Sequence, residues 1–198
     1  MTTNRDRLID STRELLAERG FSATSPRAVM DRSGAGQGSF YHHFVDKADL
    51  GRAALERTAA DFRADWEDLL SAPGTARERI VSCFTHTDDD VVFGCPIGRL
   101  TQDEGVMSEP RLRATVEDTL SWLSDRLREV IQAGVRDGEL DPSLPAGALA
   151  STIAALLQGC YVMSRATHDA QPFRDAHQAI DLLLGGVSRD PARPAAAH

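Results

Sequence analysis

Between Gln37 and Lys47 the chain carries side chains that can read and hold a polyanion. Gln37 offers a paired donor and acceptor, Ser39 and Tyr41 offer hydroxyls, His42 an imidazole, and Lys47 is the only lysine in 198 residues. A carboxamide can pair with the donor and acceptor edge of adenine, while hydroxyl, imidazole and ammonium groups suit phosphate oxygens. Upstream, Thr24, Ser25 and Arg27 add two hydroxyls and a guanidinium. Other candidate chemistry is sparser. Asp88, Asp89 and Asp90 are adjacent, but neighbouring helical positions point in different directions and no second acidic cluster answers them, so a solvated helix end or loop is expected there rather than a metal site. Six histidines show neither HExxH nor paired Glu-x-x-His spacing, and no GxSxG or phosphate loop occurs. Cys83, Cys95 and Cys160 are odd in number and lack ligand spacing, which predicts reduced, buried thiols. No catalytic residue, metal or cofactor is expected.

The elements that position the first set are two short helices. Ser25 and Pro26 suit the cap and first turn of one, and Gly34 stops it. The next begins at Gly36 or Gln37, and Phe40 and Phe44, four apart, anchor it to a core while Gln37, Ser39, Tyr41 and His42 lie elsewhere on the cylinder. Two helices joined by a short glycine-bearing turn form the unit that places its second helix in a DNA major groove.

The run Gly38-Ser39-Phe40-Tyr41-His42-His43-Phe44, with Lys47 beyond a turn, resembles the end of the DNA-binding domain of the tetracycline-repressor (TetR) family. The resemblance extends upstream through Leu8, Ile9, Thr12, Leu15, Leu16 and the stop at Gly20-Phe21, covering about the first 50 residues. It implies an all-α fold of about nine helices: a three-helix helix-turn-helix domain over residues 1–47, a larger helical ligand-binding and dimerisation domain over 48–186, and a disordered tail over 187–198. It also implies a DNA-contacting set of Thr24, Ser25, Arg27, Gly36, Gln37, Gly38, Ser39, Tyr41, His42 and Lys47, with Lys47 on a phosphate. Two positions depart from the family pattern. Gln37 stands where Lys or Arg is usual, which predicts weaker nonspecific attraction and more reliance on base reading, and Val45 replaces a frequent Pro.

The formal net charge of −8 opposes indiscriminate nucleic-acid binding, so its distribution matters more than its sum. Residues 1–50 hold seven basic and seven acidic groups, and from Arg19 to Lys47 four basic groups face two acidic ones. The negative excess lies downstream. No apolar run is expected to be long enough for a membrane span and the first residues lack a signal-like apolar stretch, which predicts a cytoplasmic protein without membrane contact.

Downstream the pattern is helical throughout. Helices are expected at about 4–19, 26–32, 37–44, 47–70 capped by Asp46, 76–87, 108–134, 146–167 and 172–184, with Ser-Ala-Pro-Gly at 71–74 a clear break. Gly94, Pro96 and Gly98 predict close backbone approach and an irregular helix entry. The helix at 146–167 is apolar on nearly all sides, as expected of one buried between a core and a partner, so the last two helices should pair with their copies in a homodimer. Large apolar and a few polar groups at expected helix crossings, Phe62, Trp66, Phe84, Phe93 and Leu100 with Met107, Trp122, Arg126, Gln158 and Tyr161, are the candidates to line an effector site.

The function these features imply is a dimeric DNA-binding transcriptional regulator, a repressor released by an unidentified small-molecule effector from a (pseudo)palindromic double-stranded operator. Two alternatives are a helical small-molecule- or protein-binding module without DNA activity, and a helical metal-dependent enzyme built on Asp88 to Asp90.

Overall fold

A computed structural model describes residues 3–86, 91 and 94–187. Among them are nine α-helices and no strands: α1 (Asn4–Arg19), α2 (Pro26–Ser33), α3 (Gln37–His43), α4 (Lys47–Leu70), α5 (Ala76–Ser82), α6 (Glu104–Ser108), α7 (Pro110–Arg136), α8 (Ala146–Thr167) and α9 (Gln171–Val187), with a 3-10 turn at Gly98–Gln102. The fold is all-α with an N-terminal helix-turn-helix, as the sequence implies. Asp88 to Asp90, Phe93 and the tail from residue 188 lie outside the described residues.

The helix ends follow local chemistry. Thr3 and Asp6 form a reciprocal capping box at the start of α1, and Thr75 with Glu78 forms another at α5. The Asp46 carboxylate accepts from the Asp49 N–H at 2.7 Å and so caps α4, as expected. Helix α5 ends at Ser82, short of the expected Thr87, because Cys83, Phe84 and Thr85 turn back through three-residue hydrogen bonds to Ile80, Val81 and Ser82. The irregular entry predicted from Gly94, Pro96 and Gly98 is the 3-10 turn, followed by short α6, whose N-cap is Asp103.

The chain forms two compact units, Met1–Ala64 with Cys95–Ser121, and Asp65–Gly94 with Trp122–His198, so α4 and α7 each contribute to both. In the first, α2 and α3 pack on α1. Leu8, Ile9, Leu15, Leu16, Val29, Phe40, Phe44 and Leu50 are buried there. The Arg57 guanidinium spans Asp6 and Asp10, each at 2.9 Å, and ties α4 to α1. In the second, α9 packs on α8 and α5, burying Ile80, Phe84, Ile153, Leu157 and Phe173.

The sequence expectation about membrane spans needs one correction. Helix α8 has 22 residues, and its most apolar stretch has a mean hydropathy of 1.5, so by length and composition it could cross a bilayer. Alanines such as Ala148, Ala154 and Ala155, interspersed with Leu and Ile, keep the average high without forming the bulky run that catches the eye.

Candidate nucleic-acid interface

Helix α2 is capped by Ser25, whose hydroxyl accepts from the Ala28 N–H at 3.2 Å, and it begins with Pro26. It stops at Gly34, which adopts the left-handed conformation (φ 68°) and donates its N–H to the Met30 carbonyl. The Ser33 hydroxyl then accepts from the Ala35 N–H at 3.2 Å, which fixes the turn into α3. Phe40 and Phe44 are buried, with ring centroids 6.3 Å apart, and hold α3 by one side. The opposite side is left to solvent. Gln37, Gly38, Tyr41 and His42 are all exposed and occupy positions i, i+1, i+4 and i+5, a single continuous face. Tyr41 is 59% exposed although its ring meets Phe40 edge-on at 5.0 Å, so its position is fixed from within and its hydroxyl is free to contact a partner.

The other predicted contacts divide. Gly36 is exposed as the N-cap of α3 and Ser39 is half-buried. Arg27 is exposed, 3.9 Å from Asp31, and shares a shallow groove with Gln37 across the turn. Lys47 is half-buried, its ammonium 4.1 Å from the centroid of the Phe21 ring. Burial lowers its pKa while the nearby Asp103 carboxylate opposes that shift. Thr24 is a correction. It is only 3% exposed and its hydroxyl donates to the Gly20 carbonyl at 2.7 Å, so it closes the α1–α2 corner instead of reaching outward.

That corner contains the residues that sequence reasoning missed. Asp103 accepts from the Ser22 N–H at 3.0 Å, from the Ser22 hydroxyl, and from the N–H groups of Gly105 at 3.0 Å and Val106 at 3.3 Å. Burial alone would raise the Asp103 carboxyl pKa, but the donors from Ser22, Phe21 and Val106 outweigh it and hold the pKa below its usual value. Phe21 fills the space beside Gly51 and Gly105, where an added Cβ would stand 2.7 and 3.1 Å from its ring. Arg99 donates to the Ala17 carbonyl near the end of α1. The signals were Gly51 inside a helical pattern and Gly105 just after an acidic residue, each marking close approach.

The effector candidates divide between the two units. Phe62, Leu100 and Met107 belong to the first unit, while Trp66, Phe84, Trp122, Arg126, Gln158 and Tyr161 belong to the second. Leu100 lines a cleft of about 590 Å³ with Leu16, Leu55 and Pro96. Phe62, Trp66 and Phe84 are buried core side chains. The Arg126 guanidinium makes a two-point contact with Glu67, at 2.8 Å through each nitrogen, and also reaches Glu129, so it joins α7 to α4. The Tyr161 hydroxyl pairs with His86 Nε2 at 2.8 Å, and His86 stacks on Phe173 at 4.2 Å. All three cysteines are buried, as expected, and burial pushes the Cys83 thiol up to about 12. Among the described residues no group of three or more His, Cys, Asp or Glu side chains is arranged to hold a metal.

Comparison with known proteins points the same way as the geometry. Residues 8–54 match the family model described as bacterial regulatory proteins, tetR family, and residues 78–180 match that of the tetracyclin repressor-like C-terminal domain. The HTH-type transcriptional repressor KstR2 of Mycobacterium tuberculosis is 25% identical over 195 residues, covering 96% of each chain. The crystal structure of reduced E. coli NemR superposes with a TM-score of 0.84 at 22% identity, covering 96% of this chain and 100% of its own. Bacillus subtilis FadR in complex with stearoyl-CoA superposes at 0.71 with 20% identity, covering 91% and 98%.

Proposed function

The chain belongs to the tetR family of bacterial regulatory proteins, and from that premise we propose that this DNA-binding transcriptional regulator is a dimeric repressor, released from a (pseudo)palindromic operator by a small-molecule effector and acting in the cytoplasm. The observation that carries the reading is the outer face of α3. Gln37, Gly38, Tyr41 and His42 are presented together to solvent by a helix that the buried Phe40 and Phe44 anchor. We assign the DNA head to residues 1–47 and the effector and dimer functions to 48–186.

The dimer surface follows from α8 and α9. Val162, Met163, Leu182 and Leu183 are 60–75% exposed, a cost in water that a second copy removes. Thr152, Ala155, Gly159, Val162 and Ala166 recur at three and four along α8, and nothing lies within 4 Å of a Cβ built at Gly159, so a partner helix can approach closely there. That free face is also the reason α8 combines membrane-like composition with a place in a DNA-binding protein. A dimer presents two copies of α3, and both bind when their separation matches successive major grooves, roughly 34–36 Å. An effector that favours another separation weakens the operator complex, and a hundredfold change needs a coupling of only about 2.7 kcal/mol. FadR, which shares the fold, holds an acyl-CoA; that supports a small-molecule effector here without naming its chemistry.

The test is fluorescence anisotropy with the duplex that flanks the protein's own gene, against random duplex at moderate salt, together with sedimentation of the free protein. A dimer that prefers the native fragment is expected. A stable monomer, or equal affinity for both duplexes, overturns the reading.

A further inference from the structure

A cation is misplaced at the start of a helix, where the backbone N–H groups already carry a partial positive charge. Lys47 is the first residue of α4 and the only lysine in the chain, and it is half-buried. Its ammonium stands 4.1 Å from the centroid of the Phe21 ring, which offsets part of the lost hydration. The carboxylates nearest in sequence are committed elsewhere. Asp46 caps α4 and pairs with Arg111 at 3.2 Å, while Asp49 pairs with Arg52 at 3.1 Å and accepts from the Val45 N–H at 3.2 Å. What balances the charge is Asp103, whose carboxylate lies along the backbone of Phe21 and Ser22.

The two partners differ in freedom. The Asp103 oxygens are held by the N–H and hydroxyl of Ser22 and by the N–H groups of Gly105 and Val106, and one of them lies 2.6 Å from where a Cβ at Gly20 would stand. Lys47, by contrast, carries its charge on a flexible four-carbon stem. A phosphate that takes the ammonium therefore leaves the carboxylate behind, fixed and without its counter-charge. We propose that Asp103 restrains DNA binding: in the free protein it stores the Lys47 ammonium against Phe21, and a phosphate contact by Lys47 must first break that attraction. This rests on the DNA-binding function proposed above. The restraint acts on any duplex alike, because phosphate carries no sequence. Asp103 is also the N-cap of α6, so a shift of α6 relative to Phe21 changes how much of the Lys47 charge is available to DNA.

The experiment uses Asp103→Asn, which removes the charge and keeps a capping oxygen, on the operator duplex that footprinting defines in the native upstream DNA and on random duplex. Both should bind more tightly, by about threefold per protomer and about tenfold for the dimer at low salt, the factor for two unit charges roughly 7 Å apart in water. The gain should shrink as salt rises from about 0.05 to 0.3 M. In a Lys47→Ala background the same substitution should gain less than half as much on a logarithmic scale, because only repulsion between Asp103 and phosphate is then relieved. A second readout needs no affinity: with a single lysine in the chain, selective carbon-13 labelling of lysine gives one side-chain signal set in nuclear magnetic resonance. Its ε-methylene signal should be displaced by the Phe21 ring in the free wild type and move toward the position of an exposed lysine both in Asp103→Asn and when operator is added to the wild type. Unchanged or weaker binding by folded Asp103→Asn, an equal gain in the Lys47→Ala background, or a lysine signal that operator leaves in place overturns the inference while leaving the regulator itself intact. Equal affinity of the wild type for native and random duplex overturns the function on which it rests.

Discussion

Replacing Asp103 by alanine tests how the α1–α2 corner is held. The carboxylate is the N-cap of α6 and at the same time the acceptor for both the backbone N–H and the hydroxyl of Ser22, 81 residues away in sequence. Losing the cap costs about 1 kcal/mol. The two bonds from Ser22 go to an ionised acceptor, for which about 1.5–3 kcal/mol each is typical, but the site is partly open to water and about 1 kcal/mol each is a fairer figure. The sum is about 3 kcal/mol, and for a chain of this length it should lower the melting temperature by roughly 6–12 °C. Thermal unfolding followed by far-ultraviolet circular dichroism reads this directly. Asp103→Asn keeps a capping oxygen and should lose less than half as much. A melting temperature for Asp103→Ala within about 2 °C of wild type would show that the corner is held by Phe21 packing alone and refute the reasoning.

Acid should expose the same contact. Because the folded-state pKa of Asp103 is lowered, its ionised form stabilises the fold above the ordinary carboxylate value near pH 4, and that contribution is lost as pH falls through the lower folded value. The stability difference between wild type and Asp103→Asn should therefore be constant from about pH 7 to 5 and shrink below about pH 4. Tyr41→Ala should weaken operator binding about tenfold while shifting the melting temperature little, since Tyr41 is mostly exposed. Leu183→Asp should dissociate the dimer in sedimentation experiments without unfolding the protomer, because Leu183 is 66% exposed. Gly134→Ala should destabilise by about 1–3 kcal/mol in urea titrations, given a Cβ 2.5 Å from that of Ala76.

Much of the fold was legible because it is written in local patterns. The bounds of α1, α4 and α8 agree with the periodicity and caps to the residue, and Gly34 ends α2 as its type dictates. The outer face of α3 could be read because Phe40 and Phe44 alone fix its rotation. Long-range pairings are what periodicity cannot supply. Thr24 looks like any loop hydroxyl until the carbonyl of Gly20 is seen to take it, and the Glu67 partner of Arg126 lies 59 residues away, beyond the reach of any helical period. Asp103 was passed over because an acidic residue in a loop has no period, and its partner Ser22 lies in another loop. The effector candidates were chosen by size and polarity, and those properties also select ordinary core side chains such as Phe62, Trp66 and Phe84.

The pairing of charges sets a further limit on how this protein meets DNA. Of the seven basic groups in residues 1–50, Arg13 is bound to Asp61 and Arg32 to Glu18 at 2.6 Å, so neither guanidinium is spare. The hydrogen bond to Glu18 raises the Arg32 pKa, with the nearby Glu14 carboxylate adding to it. Arg27 is exposed beside the reader and Lys47 is held on Phe21. If these two and one of Arg5 and Arg7 reach phosphates, each protomer neutralises about three and the dimer about six, so log affinity should fall with log salt with a slope of roughly −5. If Gln37 reads a base, as the resemblance implies, it adds no phosphate contact to this count, and a slope clearly steeper than −5 would contradict that role. Lys47→Ala should reduce the steepness by about two, one for each protomer. An unchanged slope in that variant would mean that Lys47 stays on the Phe21 ring when DNA is bound, and that its charge orders the α1–α2 corner instead of gripping the phosphate backbone.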